Sequence, residues 1–185
     1  MFQTYELIEM GHTTRVILIR RIRSDDFALA RALRLRALSS DPLSFGSSYA
    51  AEVTRDETFW RESAQRHAES DHCAIFIAFR GEDPVGMVRG GKDESREGMF
   101  FIHAMWVAPE MRRTGVAREL MATIERWIAA HGGATCELMV TDAAPAARRL
   151  YEACGYTPDG YTEPSPHAGI QEHRMVKVLP QRDGA

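Results

Sequence analysis

The stretch PEMRRTGVARELM, residues 109–121, has the residue types of an anion site. Arg112 and Arg113 precede Gly115, and the apolar residues that follow are spaced as in a helix. The first amides of a helix lack internal partners and lie at the positive end of its dipole, while glycine admits a phosphate close to the backbone and arginine adds forked donors. The loop has neither G-x-x-x-x-G-K-[ST] nor G-x-G-x-x-G, which disfavours nucleoside triphosphates and dinucleotides. Taken alone, the loop is either a structural turn or an anion site.

The composition limits the class of protein. With 185 residues and a formal net charge of -3, the chain fits one ordinary domain with no global attraction for nucleic acid or an anionic membrane. Its three cysteines, Cys73, Cys136 and Cys154, are widely spaced and predict buried thiols rather than a disulfide framework or a zinc site. No apolar run approaches the roughly 20 residues of a membrane span, and the start does not resemble a signal peptide. We therefore expect a cytoplasmic protein that binds no metal, nucleic acid or membrane.

Hydrophobic periodicity predicts an α+β chain with elements in the order β-α-α-β-β-β-α-β-α-β-β. The predicted strands are residues 15–22, 73–79, 85–91, 99–107, 134–140, 155–161 (strand or turn) and 170–179. The predicted helices run from residue 24 to about 37, from 54 onward, from about 116 to 131 and from 144 to 153. Residues 1–14 show no firm period and are interpreted as a loose N-terminal extension. Residues 15–180 are expected to form one domain.

Two helix starts carry capping signals. Ser24, followed by Asp25 and Asp26, is predicted to cap the first helix. Thr54 and Glu57 form the T-x-x-E pattern of a capping box for the second. Because the net charge argues against a nucleic-acid helix, we interpret the arginines of the first helix as its solvated face: Arg31, Arg34 and Arg36.

Two motifs together resemble the GNAT superfamily of acyl-CoA-dependent N-acyltransferases. The family signature is an apolar strand ending in V-x-P, then [RQ]-x-x-G-x-[GA] opening a helix, and A-x-x-L-Y-x-x-x-G-[FY] downstream. The first motif is matched by Val107, Pro109, Arg112, Gly115 and Ala117. The second is matched by Ala147, Leu150, Tyr151, Gly155 and Tyr156. The visible departure is Ala144, where family members often have an asparagine that contacts the cofactor.

The resemblance implies a fold. The motifs span residues 99–156, and the order of elements extends the likeness to residues 15–179. A GNAT-like fold has a mixed, mostly antiparallel central sheet of six to seven strands flanked by about four helices. Its sheet splays between the fourth and fifth strands, which are the predicted strands 99–107 and 134–140 in this chain.

The resemblance also implies acetyl-CoA as a cosubstrate, without a metal ion. The pyrophosphate would lie on the backbone amides of Arg113, Thr114, Gly115, Val116, Ala117 and Arg118. Arg112 and Arg113 would add charge. The pantetheine arm would pair with the backbone of Met105, Trp106 and Val107. The Val107 amide is then predicted to polarise the thioester carbonyl, because a fixed donor stabilises the developing oxyanion.

Tyr151 occupies the family position of the general acid that protonates the departing thiolate. Many family members have a glutamate base on the strand before the loop, whereas His103 is the only titratable residue on this strand. The unperturbed pKa of histidine, about 6.5, suits a base. The alternative for His103 is a buried histidine bonded to backbone, and weaker candidates for the base are Glu97, His167 and His173. Strand alternation predicts one shared face for Phe101, His103, Met105 and Val107.

The acceptor site is expected in two loops, residues 38–49 and 159–173. Phe45, Tyr49 and Tyr161 are predicted to pack on the acceptor. Three carboxylates could attract a cationic amine: Asp41, Glu163 and Glu172. For each of these residues the alternative is an ordinary loop position. The loops favour a small-molecule or amino-acid-like amine over a protein N-terminus or lysine. An acyl-CoA-binding sensor with little turnover also stays open, as does a homodimer, because dimers are common in the family.

Overall fold

The computed structural model describes residues 3–10 and 13–180. Its strands are β1 (Gln3–Met10), β2 (Thr13–Arg21), β3 (Cys73–Arg80), β4 (Asp83–Lys92), β5 (Met99–Val107), β6 (Thr135–Thr141), β7 (Thr157–Pro164) and β8 (Gln171–Val178). Its helices are α1 (Phe27–Ser40), α2 (Tyr49–Val53), α3 (Glu57–Glu69), α4 (Val116–Ala130) and α5 (Pro145–Ala153), with 3₁₀ turns at Pro42–Ser44 and Pro109–Met111. Among these helices, none is long and apolar enough to cross a bilayer.

The described strands form one mixed sheet in the order β1-β2-β3-β4-β5-β6-β8-β7. All neighbours are antiparallel except β5 and β6. Helix α4 packs so closely on one face that a Cβ added at Gly90 would lie 2.8 Å from Ile124 Cδ1. The adjacent Arg89 points to the opposite face, where it bonds His67 of α3. The predicted α+β class and GNAT-like sheet are therefore confirmed.

Strand β1 adds an element that the sequence did not predict. Gln3–Met10 pairs with β2 along its whole length, although residues 1–14 showed no firm hydrophobic period. Backbone pairing with a neighbouring strand depends on an exposed edge as well as on side-chain pattern, so a weakly patterned segment can still extend a sheet.

Both predicted helix caps were wrong by a few residues. Helix α1 begins at Phe27 rather than after Ser24. Helix α3 is capped by Asp56, whose side chain accepts a bond of 2.9 Å from the Phe59 amide, and not by Thr54. Short polar side chains in a row compete for the same unpaired amides, so spacing alone does not select the cap.

Strands β5 and β6 pair over three residues and then separate. Met99–Phe101 pairs with Thr135–Glu137, and no further ladder joins the two strands in the described part of the chain. A β-bulge lies where they part: Ala104 has a φ of 53°, and the register of β5 against β4 shifts between Met87 and Arg89. The predicted splay is confirmed, and the bulge bends β5 away from its neighbour.

The bulge also changes which β5 side chains share a face. Phe101 and His103 lie on the face of α1 and α3. Beyond the bulge this face is taken by Trp106, whose indole nitrogen donates to Asp41 at the end of α1 at 2.9 Å. Val107 lies on the opposite face, toward α4. The prediction that Val107 shares a face with Phe101 and His103 was wrong, because strict alternation does not hold through a bulge.

Candidate active site

The α4 entry loop, residues 112–118, leaves consecutive backbone amides without partners. Gly115 is the N-cap of α4 with a φ of 95°, and Arg113 also has a left-handed backbone with a φ of 63°. Among the described residues, the amides of Arg113, Thr114 and Gly115 donate no hydrogen bond. The amides of Val116 and Ala117 fall in the first helical turn, where no intrahelical acceptor exists. Such a run at the positive end of a helix suits an anion.

The three arginines of this loop have different surroundings. Arg112 donates through Nε to the Val107 carbonyl at 3.1 Å, and its Nη2 lies 2.6 Å from Asp41 Oδ2. Burial alone would raise the pKa of Asp41, but bonds from Arg112 and two neighbouring side chains hold it below its usual value. The carboxylate therefore stays charged and the Arg112 pair ties the loop to α1. The side chains of Arg113 and Arg118 are exposed.

The end of β5 presents backbone groups to the gap between β5 and β6. The Ala108 amide donates to the Val85 carbonyl of β4 at 2.9 Å. Backbone groups alternate sides along a strand, so the preceding Val107 amide points away from β4 and toward the gap. Met105 lines the cavity described next. The predicted segment from Met105 through Trp106 to Val107 therefore borders the opening between the strands.

A cavity of about 340 Å³ lies in this opening. Its walls come from α1, the segment after α1, β4, β5, β6, β8 and the end of α5. Its charged and titratable lining residues are Arg34, Arg89, His103, Glu137, Tyr151 and Glu172. The structure thus brings around one space five residues that were given a role from the sequence: Tyr151, His103, Met105, Phe45 and Glu172.

Tyr151 is buried, with 7% of its surface exposed, and packs edge to face against Tyr156 with ring centroids 6.2 Å apart. Burial raises the pKa of the Tyr151 hydroxyl, so it keeps its proton at neutral pH. The hydroxyl makes no hydrogen bond to the described part of the chain. A protonated, unpartnered hydroxyl at a cavity wall can donate to a bound ligand.

His103 stacks on Phe101 with ring centroids 5.3 Å apart. The residue is exposed to solvent through the open cavity. Partial removal of its ring from bulk water by the cavity walls, together with the charge of Arg89, lowers the pKa of His103 to about 3. The ring is therefore neutral at physiological pH and only a weak proton acceptor.

Arg89 contacts a second neutral histidine. Its Nη2 donates to His67 Nε2 at 2.8 Å, and His67 Nδ1 lies 2.7 Å from the Ser63 carbonyl. This network assigns the proton of His67 to Nδ1. Burial and the Arg89 charge lower the pKa of His67 to about 4. His67 therefore accepts a bond from Arg89 without neutralising it.

Arg34 lies at the cavity and not on a solvated face, so that prediction was wrong for this arginine. Its side chain is 12% exposed, 3.8 Å from Glu52 Oε1, with its guanidinium 4.9 Å from the centre of the Phe45 ring. The sequence did contain a signal: Arg34 falls within the apolar stripe of α1 that includes Ala30, Leu33, Ala37 and Leu38. Arg89 had a similar signal, as a lone charge within the apolar strand β4.

Other predicted acceptor residues lie outside the cavity lining. Tyr49 and Tyr161 are both exposed, and the Tyr161 hydroxyl donates to Glu163 at 2.8 Å. The weaker candidates for the base are also absent from the lining: His167 bonds the Phe45 carbonyl, His173 bonds Asp142, and Glu97 is exposed. Within residues 3–10 and 13–180, no group of three or more His, Cys, Asp or Glu side chains could hold a metal ion.

Solved structures share this fold at low sequence identity. A GNAT family acetyltransferase from Streptococcus pneumoniae superposes with a TM-score of 0.76 at 18% identity, covering 89% of this chain and 99% of that one. The spermidine N-acetyltransferase of Vibrio cholerae, solved with CoA and spermine, gives a TM-score of 0.70 at 18% identity, covering 88% of this chain and 95% of that one.

The sequence comparisons agree with the fold. An aminoglycoside N(6')-acetyltransferase type 1 from Salmonella typhimurium is 28% identical over 99 residues, which are 48% of this chain. The match spans 65% of that relative's own length. The model of the acetyltransferase (GNAT) family matches residues 35–156, which include the α4 entry loop, the splayed strands and Tyr151. The chain therefore belongs to the GNAT family of acetyltransferases.

Proposed function

We propose that this protein transfers the acetyl group of acetyl-CoA to a primary amine of a small-molecule or amino-acid-like acceptor, by direct attack in a ternary complex. One observation carries the proposal: Tyr151, whose hydroxyl has no partner among the described residues, lines the cavity that opens where β5 leaves β6. The α4 entry loop stands at the end of β5, where a CoA thioester bound along the gap would place its pyrophosphate. We place the reaction in a domain of residues 15–180, in the cytoplasm.

Residues of the loop would bind the cosubstrate chiefly through the backbone. The left-handed φ of Gly115 and Arg113 supports this, because it holds consecutive amides without partners. The guanidinium of Arg112 is already paired with Asp41, so its main contribution is to fix the loop against α1. The pantetheine arm would lie along Met105–Val107 and complete the pairing that β6 leaves open.

The reaction then needs three proton and charge movements. The amine lone pair attacks the thioester carbon, and the Val107 amide stabilises the oxyanion that forms. The carbon–sulfur bond breaks, and the departing thiolate takes the proton of the Tyr151 hydroxyl. The attacking nitrogen loses a proton to solvent in the open gap, and solvent returns a proton to the Tyr151 oxygen.

The low pKa of His103 disfavours it as the general base, since an efficient base has a pKa near the operating pH. Replacing His103 with glutamine tests this. If the ring is not the base, the pH–rate profile of His103→Gln keeps the ascending limb of the wild type. Loss of that limb would restore His103 to the mechanism.

The transfer itself is tested by following release of free CoA thiol from acetyl-CoA across a panel of amines. We expect thiol release that depends on a small amine. Release with lysine-containing peptides or protein N-termini alone would indicate a protein acetyltransferase. Tight acetyl-CoA binding without release with any amine would overturn the proposal and indicate a sensor.

A further inference from the structure

Two partly buried arginines at the cavity have no assigned role in acetyl transfer. Arg34 on α1 and Arg89 on β4 both line it. Arg34 Nη1 and Arg89 Nε are buried, and neither has a hydrogen-bond partner among the described residues. Leaving a donor of a charged group unpaired is costly, so two cavity-lining guanidinium groups with unused donors suit a ligand that supplies an acceptor.

The charges nearby do not neutralise this pair. Glu52, the carboxylate beside Arg34, also accepts from Arg55 at 3.1 Å. Burial, together with the charge of Arg34, lowers the pKa of Arg89 to about 10, and its bonded partner His67 is neutral. Glu137 on the cavity wall is held by two bonds to Arg96, of 2.6 and 2.9 Å. The α1–β4 side of the cavity therefore carries excess positive charge.

The opposite side carries a carboxylate. Glu172 on β8 lines the cavity, and its Oε1 is buried without a partner among the described residues. In the sheet order, β4 lies beyond β5 and β8 lies beyond β6, so the gap separates Arg89 from Glu172. Tyr151 packs against Tyr156, whose ring centre lies 5.6 Å from the Lys177 ammonium of β8, so Tyr151 stands on the β8 side of the gap.

We propose that the acceptor is an amine that also bears a carboxylate, such as a free amino acid. Its carboxylate is held by Arg34 and Arg89, and its amino group lies toward Glu172 and Tyr151. Arginine suits this role because its planar fork of donors matches a carboxylate. A polycation would meet like charge at the arginines, and like-charge contacts suppress binding. The inference rests on the proposed transfer reaction and specifies its acceptor.

The test compares matched acceptors by thiol release: each common L-amino acid, its amide, and spermidine as a polycation. We expect the best amino acid to exceed its amide in kcat/KM by at least about 10-fold, because only the acid pairs with the arginines. The amide has the less basic amine, so the chemistry of the amino group alone would favour the amide. An amide or spermidine that reacts as well as the amino acids would overturn this inference and leave the transfer reaction standing. Absence of thiol release with every amine would overturn both.

The variant Arg34→Gln tests whether the cavity arginines cause the preference for an amino acid over its amide. We expect it to cut the preference for acid over amide to within about 3-fold through a lower kcat/KM for the acid, because the counter-charge is lost only for the acid. Arg34→Lys should keep part of the preference. Arg61→Gln on the exposed face of α3 is the matched control and should leave the preference unchanged. An undiminished preference in Arg34→Gln would overturn the role of this arginine.

Discussion

The α4 entry loop and the Arg34–Arg89 side of the cavity both offer positive charge, but they are built differently. The loop uses backbone amides from consecutive residues, aligned by one helix and by left-handed backbone at Gly115. The cavity uses side chains from α1 and β4, which meet only when α1 packs beside the sheet. A site made of consecutive backbone groups can be recognised in the sequence as a motif with fixed spacing. A site made of side chains from distant segments shows in the sequence only as single charged residues within apolar patterns.

Tyr151 lines the cavity across the gap from the two arginines, and removal of its hydroxyl is expected to have the largest effect. Tyr151→Phe should lower kcat by about 100-fold or more, because the thiolate loses its acid. The affinity for acetyl-CoA, measured by calorimetry, should change little, since the loop amides are untouched. Tyr156→Phe is a buried control on the same motif. Wild-type turnover in Tyr151→Phe would remove the hydroxyl from the mechanism.

The two histidines beside Arg89, His67 and His103, should make the stability of the protein depend on pH. His67 has a pKa of about 4 when folded and about 6.5 when unfolded, so the unfolded chain binds the proton first as pH falls. The free energy of unfolding should therefore decrease between pH 6.5 and 4, by about 3 kcal/mol from His67. His103, whose pKa is also lowered in the folded chain, likewise makes the free energy of unfolding decrease as pH falls.

Urea denaturation at several pH values measures this dependence. In His67→Gln, the free energy of unfolding should decrease less between pH 6.5 and 4, because only the contribution of His103 remains. An equally steep fall in the variant would mean that His67 is protonated in the folded protein, and that its bond from Arg89 is not the one described.

The loop is tested at its glycine. Gly115→Val should weaken acetyl-CoA binding by about 10- to 100-fold, because a β-branched residue at a φ of 95° strains the backbone that aligns the amides. Calorimetry with CoA measures the loss. Acceptor preference among amino acids and amides should not change, since the cavity arginines are unaltered.

Arg113→Gln is expected to have the smallest effect of these variants. Its loss of CoA affinity can be compared directly with that of Gly115→Val, because both changes lie in the α4 entry loop. The Arg113 side chain is exposed, so neutralising it should weaken CoA binding only by about 3-fold, and less at high salt. A larger loss for Arg113→Gln than for Gly115→Val would show that side-chain charge, and not backbone approach, governs the loop.

Elements with strong local signals were predicted well from the sequence. The strand 99–107 agrees with β5 at both ends, and α4 stops before Gly132 as the paired glycines indicate. The bulge at Ala104 was missed because an alanine with left-handed backbone has no sequence signature, and it displaced Val107 from its predicted face. The position of the Arg34 side chain at the cavity was not predicted, because its neighbours Arg31 and Arg36 suggested a charged, solvated face. Tyr49 and Tyr161 were singled out by residue type alone, which does not locate a loop residue in space.

The sequence by itself determined the α4 entry loop, the order of the strands and longer helices from β2 onward, and the position of Tyr151 after β6. These depend on residues close together in the chain, where spacing, glycine and helix-end amides act locally. Only the tertiary structure decided the charge of the acceptor side of the cavity and the pKa of His103. Both depend on Arg34 and Arg89 being brought together at one cavity, and burial and charge–charge energies are set by packing between distant segments.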